Sequence, residues 1–318
     1  MKKYEFDVNY CFLNDKPENV LILKYDPDKS SKTLQYFHQK LWSKEENGIK
    51  FDFISETDEY DKNQLVLINK FNTCQIIFSE DQKVFSSDWI INNYQHWNKE
   101  TFPDLKYLDN INVNIKNSFN NIANTIGGRI IFPRRKINGK NTINIDRGIH
   151  SNICDRFDIT LECIRRFYNK EENHFKFDEI GDFGNTLNRY EWFFNLFGKC
   201  IDGFKNYCDF FFLQDLTIND YTEIKFFFKP VEFVNKPFSF YNNPYPKCER
   251  EYLEFIENAT KFIEKRCIRM QNYINNILNQ IKTEEKEAFK FGDNPQYATA
   301  DELMEKEIIP WLNSLDLQ

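Results

Sequence analysis

Between Tyr4 and about Trp97 the rhythm of apolar positions changes several times. Leu34, Phe37, His38 and Leu41 recur at helical steps behind Ser30 or Ser31, either of which can cap a helix start. Ile49 to Ile54, Leu65 to Asn69 and Cys74 to Phe78 are short apolar runs that predict strands. Ser86 or Ser87 then predicts the cap of another helix, with Trp89, Ile90, Asn93 and Trp97 at turn spacing.

After a polar, Asn-rich connection around residues 109 to 121, Thr125-Ile126-Gly127-Gly128-Arg129-Ile130-Ile131-Phe132-Pro133 reads as a glycine turn entering a strand. Asn138-Gly139 is a strong hairpin signal and predicts a return strand over Asn141 to Ile145. Ser151 or Asn152 next caps a helix to about Asn169, with Phe157, Leu161, Ile164 and Tyr168 as its buried stripe. Two aromatic-rich helices, Leu187 to Ile201 and Phe204 to Leu216, lead to a strand-like Glu223 to Phe228 and a loop from Pro230 to Pro246. From Cys248 to about Phe289 apolar residues return at three- and four-residue steps, which predicts one long helix or two in line, and a short helix comes after it around Leu303 to Leu312.

No internal repeat or low-complexity linker interrupts this order, so the expected fold class is α+β. It comprises a small mixed or antiparallel sheet with packed helices and a long C-terminal helix or helical hairpin. Residues 1–230 form the expected core domain, and 231–318 a helical region packed on it.

Composition narrows the class further. With 33 Phe and 16 Tyr in 318 residues, the chain is too aromatic for a disordered protein. Abundant Asn, Lys, Ile and Phe point to an AT-rich coding genome and a bacterial or phage source. A formal charge of −7 argues against a generic nucleic-acid coat, which needs a broad basic surface. The eight cysteines include no CxxC pair, so reduced thiols and a cytoplasmic setting are expected. The start, Met1-Lys2-Lys3-Tyr4-Glu5-Phe6-Asp7, lacks the apolar stretch of a signal peptide, and no membrane association is expected.

Against this acidic background, Arg129, Arg134, Arg135, Lys136, Lys140 and Arg147 cluster with a single acid, Asp146. Arginine forks bind phosphate or carboxylate in pairs of bonds, and a helix start nearby would add its free N–H groups. Part of the cluster can equally be a solvated hairpin tip. On the next helix Asp155, Asp158, Glu162 and Arg165 or Arg166 fall on one side at steps of three and four. Such a row can orient a ligand or a water; it can also be a ladder of salt bridges on a wet face.

His150, Cys154 and Asp158 are spaced by four, but they make only a partial metal site, and no metal or other cofactor is assigned. Asp215, Asp220 and Glu223-Ile224-Lys225 match the loose acidic pattern of metal-dependent nucleases, a pattern of common residues that chance supplies often. There is no GxSxG, GxxxxGK[ST], GxGxxG or HExxH.

Ile126 to Pro133, Asp155 to Tyr168, Asp209-Phe210-Phe211-Phe212-Leu213-Gln214-Asp215-Leu216, Asp26-Pro27-Asp28-Lys29-Ser30 and Leu41-Trp42-Ser43-Lys44 together resemble an uncharacterised bacterial family, a domain of unknown function, over residues 4–230. The resemblance implies no reaction and no cofactor. The expectation is a protein that binds a phosphate-bearing ligand, a nucleotide or a nucleic-acid end, with phage-defence or toxin enzymes among the roles that fit. Arg129, Arg147, Arg156, Arg165 and Arg166 would hold the anion, and Asp158 and Glu162 would act in catalysis. The alternative is a non-catalytic interaction or assembly module whose long C-terminal helix docks a partner protein or a second copy of the chain as a homodimer.

Overall fold

Two caps begin the chain's helices. The Asp26 carboxylate accepts from the Asp28 amide to start α1 (Pro27–Ser30), and the Ser31 hydroxyl accepts from the Leu34 amide at 2.9 Å to start α2 (Lys32–Trp42). The expected face of α2, Leu34, Phe37, His38 and Leu41, is fully buried. This computed structural model describes residues 6–21, 25–46, 49–57, 63–67, 84–169, 181–229 and 243–291. The chain divides into two compact units, Met1–Gln271 and Asn272–Gln318, and the sheet and candidate site belong to the first.

A short pair, β1 (Glu45–Glu46) with β2 (Ile49–Lys50), precedes the main sheet. There β3 (Phe53–Thr57), β4 (Asn63–Leu67), β5 (Val84–Trp89) and β6 (Arg129–Pro133) run antiparallel in that order. The strands expected near residues 49–54 and 65–69 are present, and Cys74 to Phe78 lies outside the described residues. The helix expected from Ser86 or Ser87 is instead β5. Its ladder with β6 extends from Phe85 opposite Pro133 to Trp89 opposite Arg129, and Phe85 and Ser87 turn inward at the two-residue period of a strand.

The Asn-rich connection contains a helix, α3 (Val113–Ala123), because Asn112 caps the Asn114 amide and Phe119 and Ala123 find cover. A turn of 3₁₀ helix over Ile126–Gly128 then feeds β6. A Cβ on Gly127 would lie 2.5 Å from Cys267 Sγ, and one on Gly128 would collide with the Ala123 carbonyl. Close backbone approach therefore explains this glycine pair.

The turn at Asn138-Gly139 forms, with both residues at positive φ, but the chain leaves it into α4 (Ile143–Ile149) and not into the expected strand. Thr142 caps α4, and Asp146 in its first turn is held by Thr186 and Arg189 of α6 (Gly181–Arg189). The next helix, α5 (Phe157–Asn169), begins at Phe157 because Cys154 and Asp155 have φ of 48° and 59°. His150, Cys154 and Asp158 thus do not share a helix. All thirteen residues of α5 are buried, so its polar row faces no solvent.

Around α5 pack α6, α7 (Glu191–Phe194) and α8 (Cys200–Phe210), with a break at Gly198, where φ is 107°, and the long α9 (Glu249–Phe291) comes later in the chain. A hairpin of β7 (Thr217–Ile218) and β8 (Glu223–Ile224) comes after α8. Phe193, Phe194, Phe197, Tyr207, Phe210 and Phe211 form one contiguous ring cluster. Each such ring stabilises by about 1.5–3 kcal/mol through burial, so the aromatic bias is spent on this core. The architecture is α+β, as the apolar pattern predicts. Residues 303–312, where a terminal helix is expected, lie outside the described residues.

Candidate functional site

The seven residues singled out from sequence separate into three groups. Glu162 forms one group with its neighbours on α5: Arg165 grips it with two bonds of 2.7 and 2.8 Å, and Arg166 adds a third at 2.7 Å. Arg156 and Asp158 form the second, a fork fully closed from solvent. Asp158 also accepts from the Phe227 amide at 2.8 Å, while Arg156 donates to the Pro244 and Phe228 carbonyls and stacks on the Phe228 ring. With these contacts Asp158 and Glu162 tie helix to loop and helix to itself. Neither lines the hollow beside Asp215 and Phe262, the one beside Phe119 and Ile256, or the one beside Trp97 and Phe102.

Arg129 and Arg147 come together in the third group, around the end of β5. Arg129, at the start of β6, donates to Asp28 at 2.8 Å and to Asn124, with its guanidinium 5.1 Å from the Trp89 ring. Arg147, from α4, places one nitrogen, Nη1, 2.7 Å from Asp88 Oδ2 and 2.7 Å from Asp155 Oδ1. It also donates to the Trp89 and Asp155 carbonyls. Asn92 holds the other Asp155 oxygen at 2.8 Å. The two arginines are closed from solvent, but the carboxylates are not: Asp28, Asp88 and Asp155 side chains keep 18%, 27% and 20% exposure. The group is thus a floor of cations with a rim of acids.

That arrangement unbalances the rim. Desolvation pushes Asp88 up to about 7, helped by the neighbouring Asp155 and Asp28 and opposed by Arg147. Desolvation raises Asp28 as well, against the pull of Arg129. Arg147 is held in its cationic form by Asp155 and Asp88, which outweigh its own desolvation. His96, edge-on to Trp89, is lowered by desolvation against the pull of Asp155. A carboxyl titrating near neutrality beside a fixed cation and a second carboxylate is suited to accept and return a proton.

Sequence reading reached the two arginines through the local reversal of charge and missed Asp28 and Asp88. The signal for Asp88 was hidden because Ser87-Asp88-Trp89 also fits a helix start. Among the described residues no group of three or more His, Cys, Asp or Glu is placed to hold a metal ion. The acidic nuclease-like pattern is dispersed too: Asp215 pairs with Arg269 at 2.6 Å, and Glu223 accepts from Asn219 within its own hairpin.

A family model matches residues 6–270. The chain belongs to the family of unknown function DUF6994. The DUF6994 match ends where the first compact unit ends, so the family is defined on the unit that holds the Arg147 group. No curated protein and no solved structure matches the chain. Among the described residues no helix is long and apolar enough to cross a membrane.

Proposed function

We propose that this DUF6994 protein is an enzyme whose proton-handling centre is Asp88, with Arg147 and Asp155 beside it, acting on a polar ligand at the β5 end. The observation that carries the reading is the single Arg147 nitrogen shared by two carboxylates at a partly open rim. One guanidinium cannot fully satisfy two acids, so one proton is weakly held and available. The five arginines expected to hold a phosphate spend donors on carboxylates and carbonyls, so a proton site is the better-supported reading. A bacterial, cytoplasmic setting goes with it, supported by the free thiols of all seven cysteines among the described residues.

A second reading has its own support: Arg147 is fully buried and joins α4, β5 and the 155 loop, as an architectural staple would. Asp88→Asn separates the two. A carboxyl raised to about 7 costs stability once ionised, because folding then has to strip or bury its charge. Retaining such a residue makes sense for chemistry more than for stability. The proton-site reading therefore expects Asp88→Asn to be as stable as the native chain, or more stable, at pH 8 in urea unfolding. A clear loss of stability at that pH would favour the staple and overturn the proton site.

A further inference from the structure

Asp155 faces two neighbourhoods. Besides touching Arg147, it lines a surface hollow of about 550 Å³ with Trp97, Asn98, Phe102, Cys154 and Asn243. That volume falls in the ~300–1,000 Å³ range of small-molecule sites. One wall is aromatic and well supported. The Trp97 and Phe102 ring centroids lie 4.6 Å apart, Tyr94 and Tyr245 pack behind them, and the Tyr94 hydroxyl donates to the Cys154 carbonyl at 2.9 Å.

The polar part of the lining is sparse and of one sign. Asn98 and Asn243 are neutral, and desolvation pushes the Cys154 thiol up to about 12, so it carries no charge at neutral pH. Arg156, which acts on Cys154 from behind, is neutralised by Asp158, and Lys247 is a weaker influence there. Asp155 is the charge that lines the hollow itself. Its partner Arg147 is shared with Asp88, so the Asp155 carboxylate is only partly compensated. The consecutive left-handed residues Cys154 and Asp155 hold it in that position.

We infer that this hollow binds an organic cation, its ammonium group at Asp155 and its apolar body against Trp97 and Phe102. The inference rests on the reading of the Asp88–Arg147–Asp155 group as a ligand site and names the class of ligand it takes. A cation supplies the charge that one arginine cannot give to two acids, and the aromatic wall covers its apolar body. A phosphate or carboxylate ligand would meet the Asp155 carboxylate, which repels an anion.

Three probes of one shape and different charge test this by calorimetric titration of the full chain at pH 7.5 and low salt: tyramine, its neutral alcohol tyrosol, and 4-hydroxyphenylacetate. Tyramine is expected to bind about tenfold more tightly than tyrosol, a difference of ~1.4 kcal/mol. 4-Hydroxyphenylacetate is expected to bind weakest. No tyramine binding, or an acid that binds as well as the amine, overturns the inference. Asn98→Lys, at an exposed position, gives up the side-chain bond to the Glu100 amide but should stay folded by circular dichroism and weaken tyramine about tenfold; unchanged affinity in this folded variant also overturns the inference. Stability measured against pH in parallel keeps the two readings apart. Tyramine binding without an Asp88 titration step retains the cation site and removes the proton centre; the step without tyramine binding does the reverse.

Discussion

Two fully buried arginines solve the same problem in opposite ways. Arg147 sits under a partly open rim and is matched by carboxylates, Asp88 and Asp155. Arg266, on α9, is matched by backbone carbonyls of Phe211, Gly127 and Arg129 at 2.6–2.9 Å, and desolvation pulls it down to about 9. The carbonyls are fixed dipoles that cannot change protonation state, so Arg266 contributes order and nothing that titrates near neutrality. The carboxylates can change state, and one of them is placed to do so. A buried cation therefore marks a functional region only through the nature of its partners.

The largest test of this contrast is Arg266→Met. Three buried carbonyls lose their donor, at about 1–3 kcal/mol each, and a loss of roughly 3–5 kcal/mol is expected in urea unfolding. The loss should be the same at pH 5 and pH 8, since a guanidinium at about 9 stays protonated throughout. Arg147→Met should cost less, roughly 2–3 kcal/mol at pH 8, because its acids can take up water or a proton. That cost should shrink at pH 5, where Asp88 is protonated; an equal cost at both pH values would erase the distinction drawn between the two arginines.

The pH dependence of the native chain tests the titrating carboxyl directly. Asp88 has a folded value of about 7 against roughly 3.9 in an unfolded chain, so between those limits the folded state holds the extra proton. Its contribution to stability is present below pH 4 and is lost as the pH rises to about 7. Asp88→Asn should remove that part of the slope, read from melting temperature across pH 4–8. Smallest of all is Ser31→Ala, which deletes the cap of α2 and the hydroxyl's bond to Asp15. It should cost about 1 kcal/mol at either pH.

Sequence distance sets how much of this was legible. α2, the turn into β6 and α9 carry their signals locally, in a cap, a glycine pair and an unbroken apolar period. β5 and α4 do not: Ser86-Ser87-Asp88-Trp89 fits either a helix start or a strand, and a ladder with β6 decides it. Asn138-Gly139 does make its turn, but the Thr142 cap and the pull of α6 on Asp146 turn the next segment into a helix. The site shows the same limit. Arg129 and Arg147 stand out in the charge pattern, but Asp28 and Asp88 lie 101 and 59 residues earlier in the chain, and no local pattern pairs them with the arginines.

β6 ends the main sheet, and among the described residues no further strand pairs beyond it. A terminal strand with open N–H and C=O groups invites another chain to add itself, which is a common start of aggregation. Here all five residues of β6 are buried, and the Arg266 guanidinium occupies the Arg129 carbonyl at its head. The arginine that does not titrate near neutrality is thus also a guard on the sheet's border, and losing it would leave a border carbonyl unpaired as well as weaken a core.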